Sequence, residues 1–393
     1  MKAYIKLTLP LWVAALPLGL SNSLSQPLSA ILLLPLIAVA FALKRSKIAT
    51  LLLLLAITVT AIRITASAAH EYSIYQMVRS GLPFLYICIV LGSYKQLQTY
   101  ISTKFSTLDP DGSRTEKLAY IYVTLQTIQV VALYLDIPIA NVASKSDGDS
   151  FRLMLYPMTS IVLLFYYGWR QQMWILTGMA ALIIFSTGSK TYLAAMLILI
   201  PIATASRLSS WRLLTSTLGI LTLCGIVYYT NPLSITRLAS YITEERGADI
   251  TREYEISHAK STFQQDALTM LAGNGLAHPL TPGVPTSDER WFENSKYDIE
   301  NAYWSILAKL GILGSTLTSM MLVRTIKNKT MIATGIILLI FGLKTSYQFF
   351  TTFDGTLLLL WSILIAEACQ RRSNKCNLRH IQAHELKPIN FRR

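Results

Sequence analysis

The chain has 393 residues, of which 52% are hydrophobic and only 14% charged, and its mean hydropathy is +0.44. A soluble domain carries roughly 25% charge, so a water-wrapped globule is excluded. The leucine run 51–55 and the run 336–340 do not alternate in polarity, which excludes a membrane β-barrel. The net charge of +14 is explained by a membrane rather than by nucleic acid, because cytoplasmic loops of membrane proteins collect Lys and Arg.

Apolar segments lie at 8–24, 28–43, 48–66, 76–94, 118–136, 152–168, 173–188, 190–205, 213–230, 299–322, 331–349 and 355–369. A span needs about 20 such residues, and several of these segments are short or broken by Pro and Gly. The pattern predicts an all-α, polytopic membrane helix bundle of about 12 transmembrane helices. The first segment carries Lys2 and Lys6 as a signal peptide would, but no small-residue cleavage site follows, so it reads as a retained span. Spans 1 to 9 occupy 1–230, one long loop 231–297, spans 10 to 12 298–370, and a basic tail 371–393. Within the long loop, 249–272 reads as a helix with Asp249 as its N-cap and Gly273 just past its end. The loop 273–285 after it is rich in Gly and Pro, and the two halves of the chain do not repeat. Cys88, Cys224, Cys369 and Cys376 have no metal-ligand spacing, and neither a disulfide nor a metal site is expected.

With the N-terminus in the cytoplasm, every basic cluster falls on the same side. These are Lys44 to Lys47, the stretch 95–117, Arg170, Arg207 to Arg212, Arg324 to Lys329, and the tail with Arg371, Arg372, Lys375, Arg379, Lys387, Arg392 and Arg393. Both termini are then cytoplasmic and the long loop faces outward. Against that background, Arg63, Arg79, Arg152, Lys190 and Lys344 lie at or toward the outer ends of their segments. Arg152 is read as opening the sixth span. Such side chains can snorkel to headgroups, yet several on the side poor in positive charge mark a functional face. Lys309 lies deeper, about 13 Å into its segment, to pair with a buried acid or line a cavity. The loop adds Arg237, Arg246, Arg252, Lys260, Arg290 and Lys296, mixed with acids that can pair with them. Cations beside lipid suit a polyprenyl diphosphate, whose tail stays in the bilayer while its phosphates take charge-assisted hydrogen bonds.

Three stretches carry a resemblance. The first is the hairpin Thr187-Gly188-Ser189-Lys190. The second is Arg252 followed by Ala267-Leu268 and Leu271-Ala272-Gly273-Asn274-Gly275. The third is Glu300-Asn301-Ala302-Tyr303-Trp304 followed by Lys309-Leu310-Gly311-Ile312-Leu313-Gly314. In order and spacing they resemble the O-antigen polymerase and O-antigen ligase superfamily of bacterial envelope glycosyltransferases, mainly over 185–315. Lys190 stands where that family usually has Arg, and Glu300 where it usually has His. Because ligases rely on that His, the departure favours a polymerase.

The resemblance implies an inner-membrane polymerase that joins oligosaccharide repeat units carried on undecaprenyl diphosphate, at the periplasmic face. Donor and acceptor are both lipid-linked. A chain-length regulator and a flippase are the implied protein partners, and nucleic acid is not. The leaving diphosphate gains charge in the transition state, so pre-placed cations stabilise it; Lys190 and Arg252 are assigned to it, with Arg79 and Arg152 behind them. The acceptor hydroxyl needs a base within hydrogen-bond reach; Glu300 is the candidate, with Asp298 second. An acid at position 300 also suits capping of the following helix, so both readings stand. Asn301 is assigned to sugar or phosphate groups. The aromatic residues Trp291, Phe292, Tyr297, Tyr303 and Trp304 suit stacking on sugar rings, although interfaces collect aromatics in any case. No cofactor or metal is implied, since the cations supply the electrostatics. The alternatives are a ligase acting on lipid A-core through the same site, and a lipid-linked sugar flippase or transporter.

Overall fold

The computed structural model describes residues 31–43 in part, 46–66, 74–106, 113–134, 143–147, 150–154, 159–187, 189–204, 247–280, 299, 301–326, 328–343, 349 and 353–385. The expected spans at 8–24 and 213–230 lie outside these residues. The described chain is helical apart from one short hairpin. In order it runs α1 (Lys47–Ala66), α2 (Ile74–Gly92), α3 (Tyr94–Ser106), α4 (Ser113–Tyr134), β1 (Ala143–Asp147), β2 (Ser150–Met154), α5 (Thr159–Gln171), α6 (Trp174–Ser186) and α7 (Lys190–Thr204). There follow α8 (Gly247–Phe263), α9 (Ala267–Ala272), α10 (Ala302–Thr325), α11 (Lys329–Gly342) and α12 (Asp354–Glu385).

Uninterrupted apolar runs set most of these helices, and side-chain caps set several starts. Asp266 Oδ1 accepts from the Thr269 amide at 2.7 Å, Asn301 Oδ1 from Trp304 at 3.1 Å, and Asn328 Oδ1 from Met331 at 2.9 Å. Each satisfies an amide that the first helical turn leaves without a partner. The helix α5 is buried from Thr159 to Trp169, as expected of a helix apolar on all sides. It packs against α6, α7 and α12. The first half of α12 is likewise buried, with Trp361 edge-on to Tyr122 of α4, and Phe353, just before α12, is tilted against Tyr86 of α2. Among the described residues two helical stretches, Lys47–Thr65 and Ala302–Thr325, are long and apolar enough to cross a membrane; Gly81–Gly92, Trp174–Ser186, Thr191–Thr204 and Lys329–Gly342 are shorter apolar helices. Both long helices turn large apolar side chains outward, including Leu51, Leu54, Ile57 and Ile62 on α1 and Ile312, Leu313, Met320 and Val323 on α10.

The contacts sort the helix ends into two groups. At one end Ser46, just before α1, donates its amide to Gly92 at the close of α2. There Arg170 reaches Thr330 at 3.4 Å, and Gln171 reaches Cys369. Arg372 pairs with Glu116, and Arg371 lies 3.9 Å from Glu367 while donating to the Ser102 carbonyl at 3.1 Å. At the other end Thr159 donates its amide to Asp354 at 3.4 Å. Tyr192, near the start of α7, stands edge-on to Phe341 near the close of α11, with ring centroids 4.7 Å apart. Tyr303, near the start of α10, donates to the Leu339 carbonyl at 2.7 Å.

Two expectations need correction. Arg152 does not open a helix: it lies in β2, opposite Lys145 of β1, and α5 starts only at Thr159. The apolar run there is short enough to serve either element. The helix expected over 249–272 is two helices, α8 and α9, divided at 264–266, and Asp249 sits inside the first turn of α8 while Asp266 caps α9. The helix that carries the last apolar run continues to Glu385, and at its midpoint Arg371 donates to the Ser102 carbonyl of α3 while Arg372 pairs with Glu116 of α4.

Candidate functional site

The second group of ends gathers most of the residues singled out in the sequence. Its centre is the turn Gly273-Asn274-Gly275, which docks against a break in α10. Gly311 has φ 65° and ψ −169°, a conformation only glycine adopts readily, and it interrupts the helix from Ala302 to Thr325. A break leaves carbonyls without their helical donors. Here the amide of Asn274 donates to the Ala308 carbonyl at 3.0 Å and the amide of Gly275 to the Lys309 carbonyl at 2.8 Å. The two backbones approach so closely that a Cβ at Gly273 would fall on Lys309 and Leu310, and one at Gly311 on Leu271 and Ala272. Gly275, also at positive φ, lies against Thr60 of α1, whose hydroxyl accepts from the Leu276 amide at 2.9 Å.

A polar anchor holds α9 in this position. Arg63 of α1 donates to the Thr269 hydroxyl at 2.6 Å and lies 4.0 Å from Asp266. The Thr269 amide and hydroxyl both donate to Asp266 and, with the Arg63 charge, hold its carboxyl below the usual carboxylate range. Asn274, almost wholly buried, donates to the Thr262 carbonyl at 3.5 Å. On the far side Phe263 of α8 stands edge-on to Trp304 of α10, beside a small cluster of Ala259, Leu280, Ile299 and Ala308. Lys309 is fully buried within this junction.

The structure brings the second and third sequence stretches into direct backbone contact. The first stretch ends beside them, because Lys190 is the opening residue of α7, whose Tyr192 meets Phe341, and the next residue, Gly342, packs on Tyr303. Arg252 lies on α8, the helix whose closing Phe263 packs on Trp304. Arg79 lies on α2, two residues before Gly81, which faces Leu276 of the docked turn. The side chains of Lys190, Arg252, Arg79 and Arg152 lie outside the described residues, as do Glu300, Asp298 and Lys344 entirely. Asn301 is the N-cap of α10, and its amide group also donates to the Leu343 carbonyl at 3.2 Å, so both of its polar ends are engaged within the protein. The N-cap hydrogen bond of α10 is thus made by Asn301, next to Glu300 in sequence.

No protein-family model matches this chain, and no curated protein matches it. Sequence reasoning missed the Arg63–Thr269–Asp266 anchor and the buried carboxylate of Glu255, one turn beyond Arg252 on α8. The first had a visible signal: Asp266 stands three residues before Thr269, the spacing of an N-cap and its amide. Asn301→Ala removes a cap and should lower stability by about 1 kcal/mol, with Asn301→Ser, which keeps an acceptor, restoring most of it. Thermal unfolding of the purified protein in detergent checks this; equal midpoints for both variants and the parent would refute the cap.

Proposed function

We propose that the chain is a multi-pass inner-membrane glycosyltransferase that polymerises undecaprenyl-diphosphate-linked repeat units into O-antigen or a related surface polysaccharide. In this reading about 12 helices cross the bilayer, both termini are cytoplasmic, and the end of the bundle built around the docked turn faces the periplasm. The observation that carries it is convergence: stretches far apart in sequence, each resembling a separate part of the same superfamily, meet at one end of the bundle, where cationic positions also accumulate.

The chemistry follows from the residue types. Lys190 and Arg252, with Arg79 and Arg152 as weaker candidates, stabilise the charge growing on the departing diphosphate. Glu300 takes the proton from the acceptor hydroxyl, with Asp298 as the second candidate. The acceptor oxygen bonds to the anomeric carbon as the bond from that carbon to the diphosphate breaks.

Deleting the gene and resolving the surface polysaccharide on a gel tests this assignment. Single repeat units on the acceptor core are the expected result. Polymer left on its carrier lipid would make the protein a ligase, and units trapped in the cytoplasmic leaflet would make it a flippase. In the deletion strain, Arg252→Ala at normal protein level should fail to restore polymer. Lys190→Arg should restore much of it and Lys190→Ala should not. Full-length polymer from both alanine variants removes these two cations from the mechanism.

A further inference from the structure

We propose that the segment 268–276 is re-entrant: it dips into the outer leaflet of the bilayer, with Leu268, Met270 and Leu271 against lipid acyl chains. The inference rests on the membrane reading above but not on the polymerase chemistry. Its first support is depth. The amides of Asn274 and Gly275 bond to carbonyls about 10 Å along α10 from its first residue, at 1.5 Å per residue. The hydroxyl of Thr60, which takes the Leu276 amide, lies about 8 Å before the close of the apolar stretch at Thr65. A leaflet's hydrocarbon is about 15 Å thick, half of the roughly 30 Å core. A turn bonded at these points lies inside it if the two helices cross the membrane.

The second support is the surface. In α9, Thr269 is fully buried against Arg63 and Asp266, whereas Leu268 is 62%, Leu271 49% and Met270 37% exposed. The two membrane-length helices to which this segment bonds also turn apolar side chains outward, Ile57 and Ile62 on one and Ile312 and Leu313 on the other. Water would penalise such a patch, and acyl chains do not. The third support is polar satisfaction. Irregular backbone at membrane depth persists only where protein groups take up its hydrogen bonds. The Ala308 and Lys309 carbonyls, the Thr60 hydroxyl and the Thr269 carbonyl, which accepts from Gly273 at 2.8 Å, do this for the amides of 273–276.

The test uses the full chain with Cys88, Cys224, Cys369 and Cys376 replaced by alanine. A single cysteine is placed by Leu268→Cys, Met270→Cys, Ile57→Cys or Ser287→Cys, the last in the polar sequence before Asp288, Glu289 and Arg290. Each variant is labelled with a nitrobenzoxadiazole fluorophore and reconstituted in phosphatidylcholine vesicles. Emission is then quenched with doxyl-labelled lipid or with aqueous iodide. Labels at Leu268 and Met270 should emit at short wavelength and lose intensity to doxyl lipid, as at Ile57, while Ser287 loses it to iodide. Iodide quenching at Leu268 and Met270 with lipid quenching retained at Ile57 overturns the re-entrant segment and leaves the membrane reading standing. Iodide quenching at Ile57 as well removes both. Quenching by neither reagent at Leu268 means that protein covers the patch, and this also overturns the proposal.

Discussion

Glu300→Gln should reach the membrane at normal levels yet extend polysaccharide about 10²–10⁴-fold more slowly, the usual effect of losing a positioned base. The amide keeps the size of the carboxyl and can still accept a hydrogen bond, but it cannot take up a proton near neutral pH. The rival explanation, that Glu300 holds the start of α10, is weakened by Asn301, whose side chain accepts from Trp304 and already fills the cap. A defect in Glu300→Gln therefore reports on chemistry rather than on helix initiation. Chain-length distribution on a gel, normalised to protein abundance in membranes, reads the effect. Glu300→His, which restores the residue usual in the resembling family, should recover part of the activity. Wild-type polymerisation by Glu300→Gln would pass the role of base to Asp298 or another acid.

Gly311→Ala and Gly273→Ala should each destabilise the fold by about 2–6 kcal/mol, the sum of a backbone conformation closed to alanine and overpacking against main-chain atoms. Neither neighbour can give way as a flexible side chain would, because the obstructing atoms belong to the backbones of Lys309, Leu310, Leu271 and Ala272. Gly178, in the middle of α6, offers the contrast. It has open space where a Cβ would stand, and alanine there should be neutral or stabilising by up to about 1 kcal/mol. Thermal unfolding of the three purified variants in detergent is the measurement. An unchanged midpoint for Gly311→Ala would mean that the break in α10 is not a requirement of the fold.

Helix positions were legible because continuous apolarity is the dominant local signal. The run 48–66 became Lys47–Ala66, 76–94 became Ile74–Gly92, and 190–205 became Lys190–Thr204. The same signal misled at 152–168, where five residues around Arg152 pair as a strand before the helix begins. It also hid the division between α8 and α9, since helical composition continues across Gln264 and Gln265. At the candidate site, the glycines of the second and third stretches were visible but their purpose was not. Gly311 and Gly314 are three residues apart in one span, yet only Gly311 takes a positive φ, because only there does another backbone arrive. That partner is a tertiary fact with no trace in the local pattern. Arg63 is the same case in electrostatic form. Read alone it was a cation snorkelling or waiting for a ligand, and its bond to Thr269 depends on a helix more than two hundred residues away.

The break in α10 has a consequence for how the protein is made. During synthesis α1 is in place early, and the turn at 273–275 leaves the ribosome just ahead of α10. If the chain is inserted as proposed, the carbonyls of Ala308 and Lys309 can be handed to that turn only after α10 has left the translocon and met α1 laterally. Until then the cheapest way to satisfy them in lipid is an unbroken helix. On the membrane reading proposed above, the broken α10 is then a product of late assembly rather than of insertion, and the turn that docks on the break must fold back toward the membrane from which its own chain has just emerged.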